Sequence, residues 1–93
     1  MLIPITSVHI ITGDPCDENY CPIALAIDEK LSGGDWCRVL ESEVQIFGSH
    51  GFMKRRFTLP VRVSRRIRNY DRGFGMEPFK FRVNKEIADE LFK

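Results

Sequence analysis

The stretch from Pro60 to Gly73, PVRVSRRIRNYDRG, sets the reading of the whole chain. Proline at a first helical position loses nothing, because that N–H has no intrahelical partner anyway. Gly73 supplies a residue that tolerates the left-handed conformation of a helix stop. Between them, Val63, Ile67 and Tyr70 recur at i, i+4 and i+7 and make one apolar stripe. At about 100° per residue, Arg62, Arg65, Arg66, Arg68 and Arg72 fall on the opposite, broad face. The spacing predicts an amphipathic helix to about Asp71, apolar inside and arginine outside.

On both sides of this helix the periodicity changes from helical to alternating. Downstream, Glu77 to Val83 sets Phe79, Phe81 and Val83 against Lys80 and Arg82, as a half-buried strand does. Upstream, Glu43 to Phe47 alternates around Val44 and Ile46. Asp35 to Leu40, with Trp36 and Val39, is its hairpin partner across Glu41-Ser42. Gly48-Ser49-His50-Gly51 is a turn, and Phe52 to Leu59 a third, irregular strand. Leu2 to Ile5 is a short strand confined to an edge or to pairing on one side, since Pro4 has no N–H to give. Ser7 is expected to cap a helical turn from Val8 to Thr12, closed by Gly13.

Two further helices follow from the same rules. Cys21-Pro22 opens one in which Ile23 to Ile27 is apolar nearly all round, with Leu31 a turn later, so it is a buried helix. Ser32-Gly33-Gly34 ends it. Asn84 caps a last helix with Ile87 and Leu91 inward. Helices interrupting an antiparallel set of strands predict a single α+β domain over residues 1–93, a small antiparallel sheet packed against two or three helices.

Composition narrows the class. An apolar content of 43% and a charged content of 29% are those of a globular protein. No apolar run approaches the ~18 residues that cross a bilayer, and the first thirteen residues lack the basic start of a secretory signal. The expectation is a cytoplasmic protein without a membrane partner. Cysteines number three (Cys16, Cys21 and Cys37), an odd count that argues against a disulfide framework.

The net charge of +1 hides an uneven distribution. Residues 1–50 carry eight acids and two bases, whereas residues 51–72 carry eight bases and one acid. Such a dipolar chain points to an anionic partner, or to its acidic half facing its basic half within the fold or across a homodimer.

Two runs of residues carry a resemblance. His9-Ile10…Gly13…Asp17…Cys21-Pro22-Ile23-Ala24-Leu25-Ala26 and Leu59-Pro60…Ile67…Tyr70-Asp71…Gly73…Pro78-Phe79…Phe81 together resemble a pattern of short uncharacterised bacteriophage and prophage proteins. They span the chain from residue 9 to residue 81, and the dense arginines and the final helix depart from that pattern. The resemblance implies a phage-type origin and a compact accessory protein, and implies no chemistry.

Three sets of residues qualify as candidate sites. The first is basic: Lys54, Arg55 and Arg56, then Arg62, Arg65, Arg66, Arg68 and Arg72. Guanidinium groups meet phosphate and carboxylate in a planar, bidentate way and stay charged at any relevant pH. This set predicts a binding module for an acidic protein surface or nucleic acid; its ordinary alternative is a solvated helix face paired with nearby acids. The second is a zinc-stabilised module using Cys16, Cys21, Cys37 and one histidine, His9 or His50. Its C-x₄-C spacing is loose, and buried structural thiols are the commoner role. The third is a thiol nucleophile at Cys21, whose place at a helix start is expected to lower its pKa; against it, no nucleophile motif surrounds the residue. The chain is therefore expected to be non-enzymatic, without a cofactor. The glycines of Ser32-Gly33-Gly34 follow a helix rather than a strand, the reverse of a phosphate-cradling loop. Phe74, between Gly73 and Gly75, is a candidate exposed anchor.

Overall fold

The computed structural model describes all residues from Met1 to Lys93. Nine elements follow in order: β1 (Leu2–Ile5), α1 (Ser7–Thr12), α2 (Pro22–Asp28), β2 (Trp36–Val39), β3 (Glu43–Phe47), β4 (Met53–Thr58), α3 (Val61–Asp71), β5 (Phe79–Arg82) and α4 (Lys85–Leu91). The α+β class is as expected, although the helices number four rather than two or three. The strands, however, form two sheets rather than one. β1 pairs antiparallel with β5, placing Ile3 opposite Phe81, while β2, β3 and β4 form an antiparallel meander. Pro4 sits opposite Lys80 in a two-stranded ribbon, where its missing N–H interrupts no second ladder.

The buried helix lies where the two sheets meet. α2 packs on both β1 and β2, and on α1. Its Ile23, Ala24 and Ile27 are fully buried. Each isoleucine so buried stabilises the fold by about 2 kcal/mol relative to exposure. Cys21 is its N-cap, with the Sγ accepting from the Ala24 N–H, and Pro22 follows at the first helical position. Cys37, Val39, Val44 and Ile46 close the core from the meander, and Phe81 and Val83 from the β5 side.

Three local expectations change. α1 is capped by Thr6 rather than Ser7: the Thr6 side chain accepts from the His9 N–H, and the His9 ring accepts from the Thr6 N–H. Gly13 ends α1 at φ −75°, an ordinary value, so left-handed freedom is not why glycine stands there. A Cβ on it would lie 2.8 Å from the His9 carbonyl oxygen and from the Pro22 nitrogen. Lack of space, where the end of α1 meets the start of α2, is the reason. Pro60 is the N-cap of α3 rather than its first helical residue.

The stop of α3 is as expected. Gly73 adopts φ +88°, its N–H donates to Tyr70 O, and the Phe74 N–H donates to Asn69 O. These two bonds define a Schellman motif, which satisfies carbonyls left over at the helix end.

Candidate anion-binding site

α3 is oriented by its inner stripe. Val63 is fully buried and Ile67 nearly so. The Tyr70 hydroxyl donates to the carbonyls of Gly13 at 3.0 Å and Ile10 at 3.2 Å. Arg62, Arg65, Arg68 and Arg72 are exposed as a result. Arg66 is not on the open face. It is half-buried, with its guanidinium 4.5 Å from the centre of the Phe79 ring. Its position on the helix lies next to Tyr70, and a long stem with a planar cation covers an aromatic face favourably.

The eight cations do not make a single free stripe. Lys54, Arg55 and Arg56 lie on the edge strand β4, within the strand expected from Phe52 to Leu59. Lys54 bonds Asp35 at 2.8 Å and Arg55 bonds Glu90 at 2.5 Å. Arg56 is opposite Gln45 and forms no ion pair. Charged residues along an open sheet edge also deter pairing with another chain, which is a sufficient structural role for them. On α3, Arg68 reaches Glu41 Oε1 through both Nε, at 2.9 Å, and Nη2, at 2.5 Å. Arg62, Arg65 and Arg72 have no carboxylate partner. From Arg62 to Arg72 the helix advances about 15 Å. Ion pairs between the acidic half and the basic half are therefore confined to Asp35 and Glu41, and both involve partly exposed cations of the kind that add little stability.

The start of α3 is unusual for a helix. No side chain caps it and no acid lies in its first turn. Arg62 sits there instead, against the helix dipole. Val63 and Ser64 N–H groups turn back to Pro60 O, which leaves the N–H groups of Val61 and Arg62 without a partner in the chain. Beside this helix start lies a groove of about 510 Å³, lined by Ser42, Thr58, Val61, Ser64, Arg65 and Arg68 among others. Ser64 was not singled out from the sequence. The signal was available: Val61, Ser64, Arg65 and Arg68 recur at i, i+3, i+4 and i+7.

The thiols are placed as core residues and as one loop residue. Cys21 and Cys37 are buried; Cys16 is exposed. Burial pushes the Cys21 thiol up to about 11, against the smaller opposite pull of the Ala24 and Ile23 backbone N–H groups. The expected activating shift is thus reversed: the helix start acts as supposed, and desolvation outweighs it. Burial, with Asp28 close by, also raises Cys37, whose Sγ–H lies 3.5 Å from Ala24 O. Cys16 adopts φ +59° and is held by α3, its N–H donating to Asp71 Oδ1 at 2.8 Å. His9 is a buried residue of α1: Nδ1 receives the Thr6 N–H, so its proton is on Nε2, donated to Glu29 at 2.6 Å. His50 is exposed on the β3–β4 turn. No group of three or more His, Cys, Asp or Glu side chains stands together in a way that could hold a metal ion.

The fold and these features define a small two-sheet α+β protein with an uncapped, arginine-bearing helix start beside a polar groove. No helix is long and apolar enough to cross a membrane. No protein-family model, curated protein or solved structure matches the chain.

Proposed function

We propose that this chain is a phage-type accessory protein that acts without catalysis, in the host cytoplasm, by binding an anionic partner along the exposed side of α3. The partner is an acidic protein surface or nucleic acid. The supporting observation is that Arg62, Arg65 and Arg72 share the open side of a helix whose other side is buried, and have no carboxylate partner. The resemblance to short phage proteins supports the accessory role.

The contact is electrostatic, so its affinity falls as salt rises. Arg68 takes a lesser part, because Glu41 already holds it. Arg66 and Arg55 act structurally, through Phe79 and Glu90.

The test is capture from host-cell extract at two salt concentrations, with and without nuclease. Reversal of Arg62, Arg65 and Arg72 to glutamate should abolish capture and leave the circular dichroism spectrum of the fold intact. Nuclease sensitivity identifies nucleic acid; resistance identifies protein. Undiminished capture by the triple variant would remove the arginine side of α3 from the binding role.

A further inference from the structure

We infer that the groove at the start of α3 is a binding site for a phosphate group carried on a larger molecule. The inference deepens the anionic-partner reading and rests on it, since it names the anion. Three independent observations converge on the site.

The first is the helix start itself. α3 has eleven residues, no capping side chain and no first-turn acid, and the Val61 and Arg62 N–H groups are unpaired. Such groups project beyond the helix end and favour an anion there. The second is Ser64. It is only 9% exposed, lines the groove, and its hydroxyl has no hydrogen-bond partner in the chain. No side-chain polar atom of the protein is sealed away without a partner, so that hydroxyl opens into the groove. A nearly buried hydroxyl left in this state awaits an acceptor or a water. The third is charge. Arg65 lies one residue from Ser64 on the same flank, lines the same groove and has no ion-pair partner.

The donors favour phosphate over carboxylate. The donors at hand are two backbone N–H groups at the end of the helix, and the Ser64 hydroxyl and Arg65 guanidinium among the side chains that line the groove. A carboxylate offers two oxygens in one plane; a phosphate offers three or more in a tetrahedron, which suits a donor set of this size. Glu41 does not forbid this. Its charge is already matched by Arg68, which leaves Arg65 as the uncompensated charge. The groove, at about 510 Å³, exceeds what one phosphate fills, and Val61 and Leu59 on its wall are apolar. The anion is therefore expected at one end, with an organic body along the remainder.

The experiment follows backbone amide shifts of the isotope-labelled chain on titration with inorganic phosphate. Sodium chloride and sodium acetate at matched ionic strength serve as controls, and phosphoserine and a dinucleotide phosphodiester are run beside them. Saturable shifts at Val61, Arg62 and Ser64 with phosphate, and not with acetate, are expected. Phosphoserine or the dinucleotide should bind more tightly than phosphate, and which one does so distinguishes a monoester from a backbone-phosphate site. Ser64→Ala and the exposed Arg65→Gln should each weaken binding about tenfold. Pro60→Asp should abolish it by supplying an internal anion to the same N–H groups. Shifts equal to those with acetate or chloride, no preference for either organic phosphate, or unchanged binding by both Ser64→Ala and Arg65→Gln would overturn the assignment. Salt-sensitive capture that persists while phosphate fails to bind sinks this inference alone. Phosphate binding that persists while the triple arginine reversal leaves capture intact sinks the broader reading alone.

Discussion

The Tyr70 hydroxyl lies 3.0 Å from the carbonyl oxygen of Gly13 and donates to it, across 57 residues of chain. The same hydroxyl reaches Ile10 O at 3.2 Å. Tyr70 thus fastens the last turn of α3 to the end of α1 and fixes which way the arginines face. Burial, with Asp14 beside it, raises the phenol's pKa, so it stays a donor throughout the neutral range. Tyr70→Phe should lower stability by about 1 kcal/mol. In a domain of this size that corresponds to a fall of about 4–8 °C in Tm. An unchanged melting curve would show that the hydroxyl does not fasten α3.

At Gly13 local and tertiary effects have opposite signs. Its φ of −75° suits alanine, and replacing glycine restricts the unfolded chain, so local reasoning predicts a gain. The backbone atoms of His9 and Pro22 at 2.8 Å predict a loss, because neither is the flexible end of a side chain. The clash should win, with Gly13→Ala costing about 1–3 kcal/mol. Urea denaturation measures it, and a stabilised variant would refute the close approach.

The cysteines should separate by reactivity. Cys16 is exposed, whereas Cys21, at about 11, and Cys37, also raised, are buried and protonated at neutral pH. Iodoacetamide at neutral pH should label one thiol in the native chain and all three in denaturant, counted by mass spectrometry. Rapid native labelling of Cys21, or stoichiometric zinc in the purified protein, would contradict this account.

Asp28 introduces a pH dependence. Burial raises its carboxyl above 3.8, against the opposing hydrogen bonds from Cys37, whose N–H lies 3.1 Å from Oδ1. A raised folded-state value means that the favourable contribution is present below the unfolded pKa and is lost as pH climbs through the folded one. Ionised Asp28 is therefore a burden at neutral pH. Asp28→Asn keeps the acceptor for Cys37 and should be more stable than the parent at pH 7, with the difference vanishing near pH 3. Denaturant midpoints at the two pH values test this; a variant less stable at pH 7 would show that the charge itself is needed.

Much of the framework was legible because it is periodic within single elements. Val63, Ile67 and Tyr70 announce the inner side of α3, the run from Ile23 to Ile27 announces a buried helix, and the alternation through Phe81 announces β5. Each pattern needs only neighbours a few residues apart, and the burial of these side chains agrees with it. Gly73 marked its helix stop for the same local reason.

By itself, then, the sequence determined the α+β class, the order of elements and the apolar stripe by which α3 turns inward. Only the tertiary structure decided that β1 leaves the meander to pair with β5, about eighty positions away. It also decided that Lys54, Arg55 and Arg68 meet Asp35, Glu90 and Glu41, that Arg66 covers Phe79, and that Ser64 faces a groove. The physical reason is range. Periodicity is set by the geometry of one helix or strand, whereas strand partners, ion pairs and desolvation depend on what distant segments bring alongside. A charged side chain obeys no spacing rule for its partner, and a thiol at a helix start carries no local sign that burial will outweigh the backbone donors around it.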